Sequence, residues 1–299
     1  MLPIRCAMSD APLVSIMMPC FNAEGTLPMA LASIKAQTYE NWEAVIVDDG
    51  STDGTWELLR RQDDSRLRFH RFPENRGRGA ARQQCLDMVR GKYLAMLDAD
   101  DWQYPDRISH QVERMESEPK ISMMSNGFVV LGEDGSILSA ACPGLRSNED
   151  FAVRQFKHVG TPPLAFPPAI IRMSDARGAR FNERFRRSQD SDFVLQFLLG
   201  RYYAIEREVL YVHRHNWDVA FSNTMEGYKY RIASHMQFLK REPAHVLISA
   251  GTTYGKIGLY HAAGRLGLQH RLVRRRWPPA PRAAVVEFEQ MQQDVRAHL

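Results

Sequence analysis

The chain has 299 residues, 44% hydrophobic and 25% charged, with a formal charge of +4. That length exceeds the usual domain of about 100 to 200 residues, so one large or two fused domains are expected. The composition is ordinary for a globular protein, and the small net charge does not point to a nucleic-acid binder. Four widely spaced cysteines, Cys6, Cys20, Cys85 and Cys142, form no CxxC pair and no disulfide framework, and read as reduced thiols. The first ten residues, MLPIRCAMSD, lack a signal-peptide core, and no later run approaches about 18 apolar residues, so a soluble cytoplasmic protein is expected.

After a flexible tail over 1–12, LVSIMMPCF (13–21) is an unbroken apolar run ending at a proline, which predicts a strand covered on both faces. Leu27, Ala30, Leu31 and Ile34 recur at helical spacing, and EAVIVDD predicts the second strand. GSTDGT is a turn before the helix WELLRRQ, and RLRFHRF (66–72) alternates like a third strand. The loop ENRGRG leads into the helix AARQQCLDMVR, and KYLAMLD predicts the fourth strand. Strands alternating with helices predict a doubly wound, mostly parallel α/β sheet, whose ligands sit at the carboxyl ends of the strands. There the polar clusters CFN, VDDGSTD and LDADD fall, so all three should meet in one crevice.

Beyond residue 105 the pattern loosens. DRISHQVERMES predicts a helix, ISMMSNGFVVL a strand, and TPPLAFPP (161–168) excludes a helix interior. The amphipathic DSDFVLQFLLG precedes AIEREVLYVHRH, and from 223 onward the chain reads as largely helical up to RLVRRRWPPAPR (271–282), which has five arginines and no acid.

LDADDW places Asp98, Asp100 and Asp101 directly after an apolar strand. Like charges so close repel unless a cation lies among them. Asp98 and Asp100 alternate, so both carboxylates can face one ion, and oxygen-only ligands favour Mg2+ or Mn2+ completed by substrate phosphate. An isolated DxD is more often a solvated acidic loop, but the buried strand before it and Trp102 and PDR after it favour function. Asp49 suits a nucleobase N–H, Asn22 and Glu24 could bracket the same base or ribose, and Arg82 could pair a phosphate bidentately.

The succession of SIMMPCFNAEGT, VDDGSTDGT, ENRGRGAARQQ and GKYLAMLDADDWQYPDR resembles the family-2 glycosyltransferases with the GT-A fold, over about residues 13–107. The resemblance implies a nucleotide-sugar-binding half at 13–107, an acceptor-binding half at 108–222 and a helical, basic extension at 223–299. It places Pro19, Phe21, Asn22, Glu24 and Asp49 at the nucleotide, Asp98 near the ribose and metal, and Asp100 on the metal directly. Arg82 matches the arginine of the family's ARN, with Gln83 in place of the asparagine. RRSQDSDFVLQFLL resembles the segment carrying the general base, which points to Asp190, with Gln189 where the family has glutamate. LYVHRHN resembles a late segment that implies Arg214 on the diphosphate and His215 as a third metal ligand, His213 being the weaker candidate.

The expected activity is inverting, metal-dependent transfer from a nucleotide-diphosphate sugar to a hydroxyl of a glycan or lipid-linked acceptor. By resemblance UDP is the commonest base, with GDP and dTDP open. Two rivals remain: a sugar-phosphate nucleotidyltransferase, which would want a glycine-rich basic loop that CFNAEGT lacks, and a non-catalytic nucleotide-sugar or glycan binder. The arginines of 271–282 raise a peripheral contact with anionic lipid at the inner membrane face, against the plainer reading of a solvated linker.

Overall fold

The structure, a computed structural model, describes residues 11–132, 134–214, 220–266, 280 and 282–299. The expected contacts of His215 and of most of the 271–282 stretch therefore lie outside the described residues. The elements of the first half follow the sequence closely: β1 (Val14–Cys20), α1 (Leu27–Lys35), β2 (Trp42–Asp48), α2 (Thr55–Arg60), β3 (Leu67–Arg71), α3 (Arg78–Met88) and β4 (Tyr93–Met96). After them come β5 (Trp102–Gln103), α4 (Arg107–Ser117), β6 (Ile121–Leu131), β7 (Ile137–Ala141), β8 (Phe151–Gln155), β9 (Ala169–Arg172), α5 (Met173–Ala176), α6 (Gln189–Leu198) and β10 (Tyr202–Arg214). Three helices close the described chain: α7 (Ala220–Met236), α8 (Pro243–Arg265) and α9 (Arg282–Arg296).

The strands form one sheet in the order β3-β2-β1-β4-β9-β6-β10-β5, with β7 on β6 and β8 on β10. β3, β2, β1 and β4 are parallel, and β6 and β10 run parallel to each other. β9 is antiparallel to both β4 and β6, which joins the two parallel blocks in one sheet.

The apolar runs of β1 and β2 have no polar face because both faces are covered. Ile16, Met18, Ala44 and Ile46 pack with Leu27, Leu31 and Ile34 of α1, whereas Met17, Val45 and Val47 pack on the other side with Ala80, Ala81 and Cys85 of α3. Each fully buried Val, Leu, Ile or Met among them contributes about 1.5–3 kcal/mol through removal from water. The result, at β1 and β2, is a helix–sheet–helix sandwich in which the strands are covered along their length.

Three features are not carried by periodicity. β5 has two residues, β8 is only half-buried, and β9 follows directly on the proline-rich stretch. All three exist because they pair with β10, β6 or β4 across long sequence separations. The thiols of Cys20, Cys85 and Cys142 are free, and burial raises the pKa of each, to about 12 for Cys85 and about 11 for Cys142. They are inert rather than nucleophilic. Among the described residues no helix is long and apolar enough to cross a membrane.

Candidate functional site

In the order 3-2-1-4 the chain reverses direction across the sheet at β1, and such a switch point leaves a crevice at the carboxyl ends of the strands. A cavity of about 390 Å³ occupies that place. Pro19, Phe21 and Asn22 from the end of β1, Asp49 from β2, and Asp98 and Asp100 from β4 all line it, so the three polar clusters do converge.

The β1 and β2 ends are tied together by side-chain to backbone bonds. Asn22 adopts φ +49°, a conformation asparagine tolerates better than most residues, and its Oδ1 accepts from Thr52 N at 2.9 Å while its own N–H donates to Ser51 Oγ at 2.9 Å. Glu24 turns away from the cavity: its Oε2 accepts from Gly54 N at 3.0 Å, and it shapes the turn into α2. Gly50 is required there, since at φ +71° a Cβ would lie 2.5 Å from the Glu74 carbonyl carbon. Asp49 lines the cavity, but both its oxygens also accept loop amides, from Arg76 N at 2.7 Å and Gly77 N at 2.9 Å. Burial nevertheless leaves its carboxyl above the ordinary range. Asp49 thus fixes the loop that enters α3, and with it the position of Arg78, which also lines the cavity.

The three carboxylates of LDADDW have three different fates. Asp101 is fully buried and faces away: Oδ2 accepts from Tyr211 Oη at 2.8 Å and pairs with His213 Nδ1 at 3.1 Å, while Oδ1 accepts from Arg214 N at 2.8 Å. It fastens the loop to β10. Asp98 faces the cavity and is paired with the buried Arg82, Nη2 to Oδ1 at 3.2 Å. Burial pushes its carboxyl upward, but the charges of Arg82, Arg78 and His213 outweigh that and hold it below the usual range. Asp100 reaches the cavity without a cationic side-chain partner among the described bonds; desolvation by the surrounding protein, then the charges of Asp101 and Asp98, raise it to about 6. His213 rises to about 9 because Asp101, Asp98 and Asp100 outweigh its burial.

Oxygen atoms of Asp98, Asp100 and Asp101 lie within 4.8 Å of one another. With Asp101 saturated by β10, Asp98 and Asp100 are the two that could hold a divalent cation, and an all-oxygen donor set suits Mg2+ or Mn2+. Asp100 has no cationic side-chain partner among the described bonds, and an ion between it and Asp98 would offset the like charges that add to its desolvation, so the residues fit such an ion.

Arg107 locks this strand end from behind. Its buried guanidinium donates to Met96 O at 2.8 Å, Gln103 Oε1 at 2.9 Å and Ala169 O at 3.0 Å, and burial lowers its pKa to about 10. It ties β4, β5 and β9 to α4.

The remaining expected residues are more dispersed. Arg82 is buried under Asp98 rather than open to the cavity, and the exposed arginine there is Arg78. Arg214 is the last residue of β10, with its guanidinium 5.6 Å from the Trp102 ring centre. Asp190 lies in the first turn of α6, Oδ1 accepting from Ser191 N at 2.8 Å, and is not part of the cavity lining. Asp192 beside it is buried, bonded to Gln196 at 3.0 Å and to Gln237 at 3.1 Å, and so fixes α6 to the segment after α7.

The sequence reading missed Arg78, Tyr211 and the pairing of His213 with Asp101. A usable signal existed for the last two: alternation along β10 puts residues 211 and 213 on one face. Beside His213 lies a second, apolar cavity of about 260 Å³, lined by Phe128, Pro143, Ala165, Pro167, Pro168 and Tyr211.

The family model described as glycosyl transferase family 2 matches residues 15–174. An uncharacterised glycosyltransferase of Methanocaldococcus jannaschii is 30% identical over 197 residues, 64% of this chain and 67% of that protein. The Escherichia coli UDP-Glc:alpha-D-GlcNAc-diphosphoundecaprenol beta-1,3-glucosyltransferase WfaP is 36% identical over 117 residues, 39% of this chain and 47% of that protein. Among solved structures, the mannosyltransferase PcManGT from Pyrobaculum calidifontis in complex with GDP-Man and Mn2+ superposes with a TM-score of 0.59 at 18% identity, covering 97% of this chain and 86% of that one.

Proposed function

The chain belongs to glycosyl transferase family 2 and is a glycosyltransferase of GT-A fold, and from that premise we propose that it transfers a sugar from a UDP-sugar, with inversion, to a hydroxyl of a lipid-linked glycan. The observation that carries the donor reading is the convergence of the β1, β2 and β4 ends on one cavity, with Asp98 and Asp100 facing it and Asp101 tied away. WfaP, whose name specifies a UDP-sugar and a diphosphoundecaprenol-linked acceptor, supports the choice of base and acceptor class.

In this reading Pro19, Phe21, Asn22 and Asp49 enclose the base and ribose, Asp98 faces the ribose and diphosphate, and Arg78 and Arg214 offset the negative charge of the leaving group. A divalent cation held by Asp98 and Asp100, Mn2+ or Mg2+, would supply further neutralisation of the departing diphosphate. Asp190 takes the proton of the acceptor hydroxyl. The freed oxygen bonds to the anomeric carbon from the face opposite the nucleotide as the bond to the diphosphate oxygen breaks. The apolar cavity beside His213, bounded by aromatic rings and prolines, receives the acceptor.

Asp190→Asn tests the base. Turnover should fall on the order of 10²–10⁴-fold while donor affinity stays within about twofold, because a base acts mainly in the transition state. Near-normal turnover in that variant would remove Asp190 from the mechanism.

A further inference from the structure

Two imidazoles and a carboxylate converge where the segment after β8 meets the turn between α7 and α8. Glu242 caps the start of α8 and His245 follows three residues later, so both side chains sit on one face of its first turn. His158 reaches them from the other segment. Its Nδ1 and the Nδ1 of His245 are each 3.7 Å from the same oxygen, Glu242 Oε2. The two rings lie face to face, with centroids 3.7 Å apart and planes 4° from parallel. None of the three residues lines the cavity at the ends of β1, β2 and β4.

The backbones that carry them are already fixed. Val159 N donates to Glu242 Oε2 at 3.0 Å, a bond between residues 83 apart in sequence. Phe156, Val159 and Val246 are buried in one apolar cluster, with Phe238 and Leu239 packed against it. Glu242 is mostly buried, whereas the His158 and His245 side chains are 56% and 42% exposed. Solvent therefore reaches the imidazoles, and both rings have room to turn while the backbone beneath them holds.

At 3.7 Å neither contact with the carboxylate is a hydrogen bond. The three ligand atoms lie within 4.8 Å of one another. In a tetrahedral zinc site with bonds of about 2.1 Å, ligand atoms are about 3.4 Å apart. The set therefore needs only a slight contraction, with the stacked rings fanning until each nitrogen lone pair meets the ion. Two imidazole nitrogens and one carboxylate oxygen select Zn2+ over the hard cations that suit Asp98 and Asp100.

We propose that His158, Glu242 and His245 bind one Zn2+ ion, with water in the fourth position, as a staple between the segment after β8 and the start of α8. That segment runs on to Ala165, Pro167 and Pro168 of the apolar cavity, so the ion would hold one end of the chain that walls it.

Calorimetric titration of ZnCl2 into the full chain at pH 7.5, without donor, tests the site. The native chain should bind the ion, and Asp100→Asn should bind it equally well, which separates this site from the cavity at the strand ends. His158→Ala with His245→Ala should weaken binding about tenfold or more, and so should Glu242→Gln. The double histidine variant should melt as the native chain does in EDTA, because both side chains are half exposed. Added Zn2+ should raise the melting temperature of the native chain and of Asp100→Asn, and leave that of the histidine variant where it was. No binding of Zn2+ by the native chain, equal affinity in the histidine variant, or loss of the ion in Asp100→Asn overturns the proposal.

Discussion

Asp101 shows how much a single side chain can decide without touching substrate. Its partners Tyr211, His213 and Arg214 lie more than a hundred residues away in sequence, so its role could not be read from LDADDW. Asp98 and Asp100 lie beyond the end of β4, in a turn where Asp101 N donates to Asp98 O at 3.1 Å, so their common facing comes from that turn and not from the strand alternation expected of the sequence. Asp101→Ala would deprive a buried phenol, the backbone amide of Arg214 and the half-buried His213 imidazole of their bonds to this carboxylate. A loss of about 3 kcal/mol in unfolding free energy is expected by denaturant titration, together with weaker donor binding. Arg82 taught a different lesson: its type and position were readable, but its pairing with Asp98 depends on how deeply α3 packs. Arg82→Ala should raise the Asp98 carboxyl toward the ordinary range, because the charge that offsets its burial is gone. A carboxyl titration followed by NMR would show the shift.

At the scale of elements, the parallel strands were legible because each is an apolar run ended by a polar cluster. β5, β8 and β9 were not, because short or half-exposed strands are stabilised by their partners rather than by their own pattern. The corner between α7 and α8 has a pH dependence of its own. His235 is buried, its Nδ1 2.9 Å from Ser249 Oγ, and burial followed by the charge of Arg231 lowers it to about 4. The folded protein therefore keeps this imidazole neutral where an unfolded chain protonates it, and stability is lost as the pH falls from about 6.5 toward 4, by up to about 3 kcal/mol. Denaturant unfolding at pH 7.5 and pH 5 should give a smaller difference for His235→Gln than for the native chain. Equal differences would place the acid sensitivity elsewhere.

Across the whole molecule, the sequence reading treated residues 223–299 as an extension, but α9 returns to the first half of the fold. Phe288, Met291 and Val295 pack with Ala32 of α1, Trp102, Tyr104 and Val212, and the Phe288 and Trp102 rings are 6.5 Å apart. Nothing in the helical periodicity of α9 names its partner, since an amphipathic face is equally suited to any apolar surface. Because Trp102 adjoins Asp101, the last helix supports the loop that carries Asp98 and Asp100. Phe288→Ala should cost about 3–5 kcal/mol by cavity formation and also weaken donor binding. Intact binding in a destabilised variant would confine α9 to a packing role.

The most direct test of the donor site is calorimetric titration of a UDP-sugar into the native chain and into Asp100→Asn, each with Mn2+ and with EDTA. The expected result is binding by the native chain that is strong only with Mn2+, and loss of that metal dependence in Asp100→Asn with folding unchanged. Equal affinity in EDTA, or an unaltered Mn2+ response in the variant, would contradict the proposal that Asp98 and Asp100 would hold a divalent cation at the donor site.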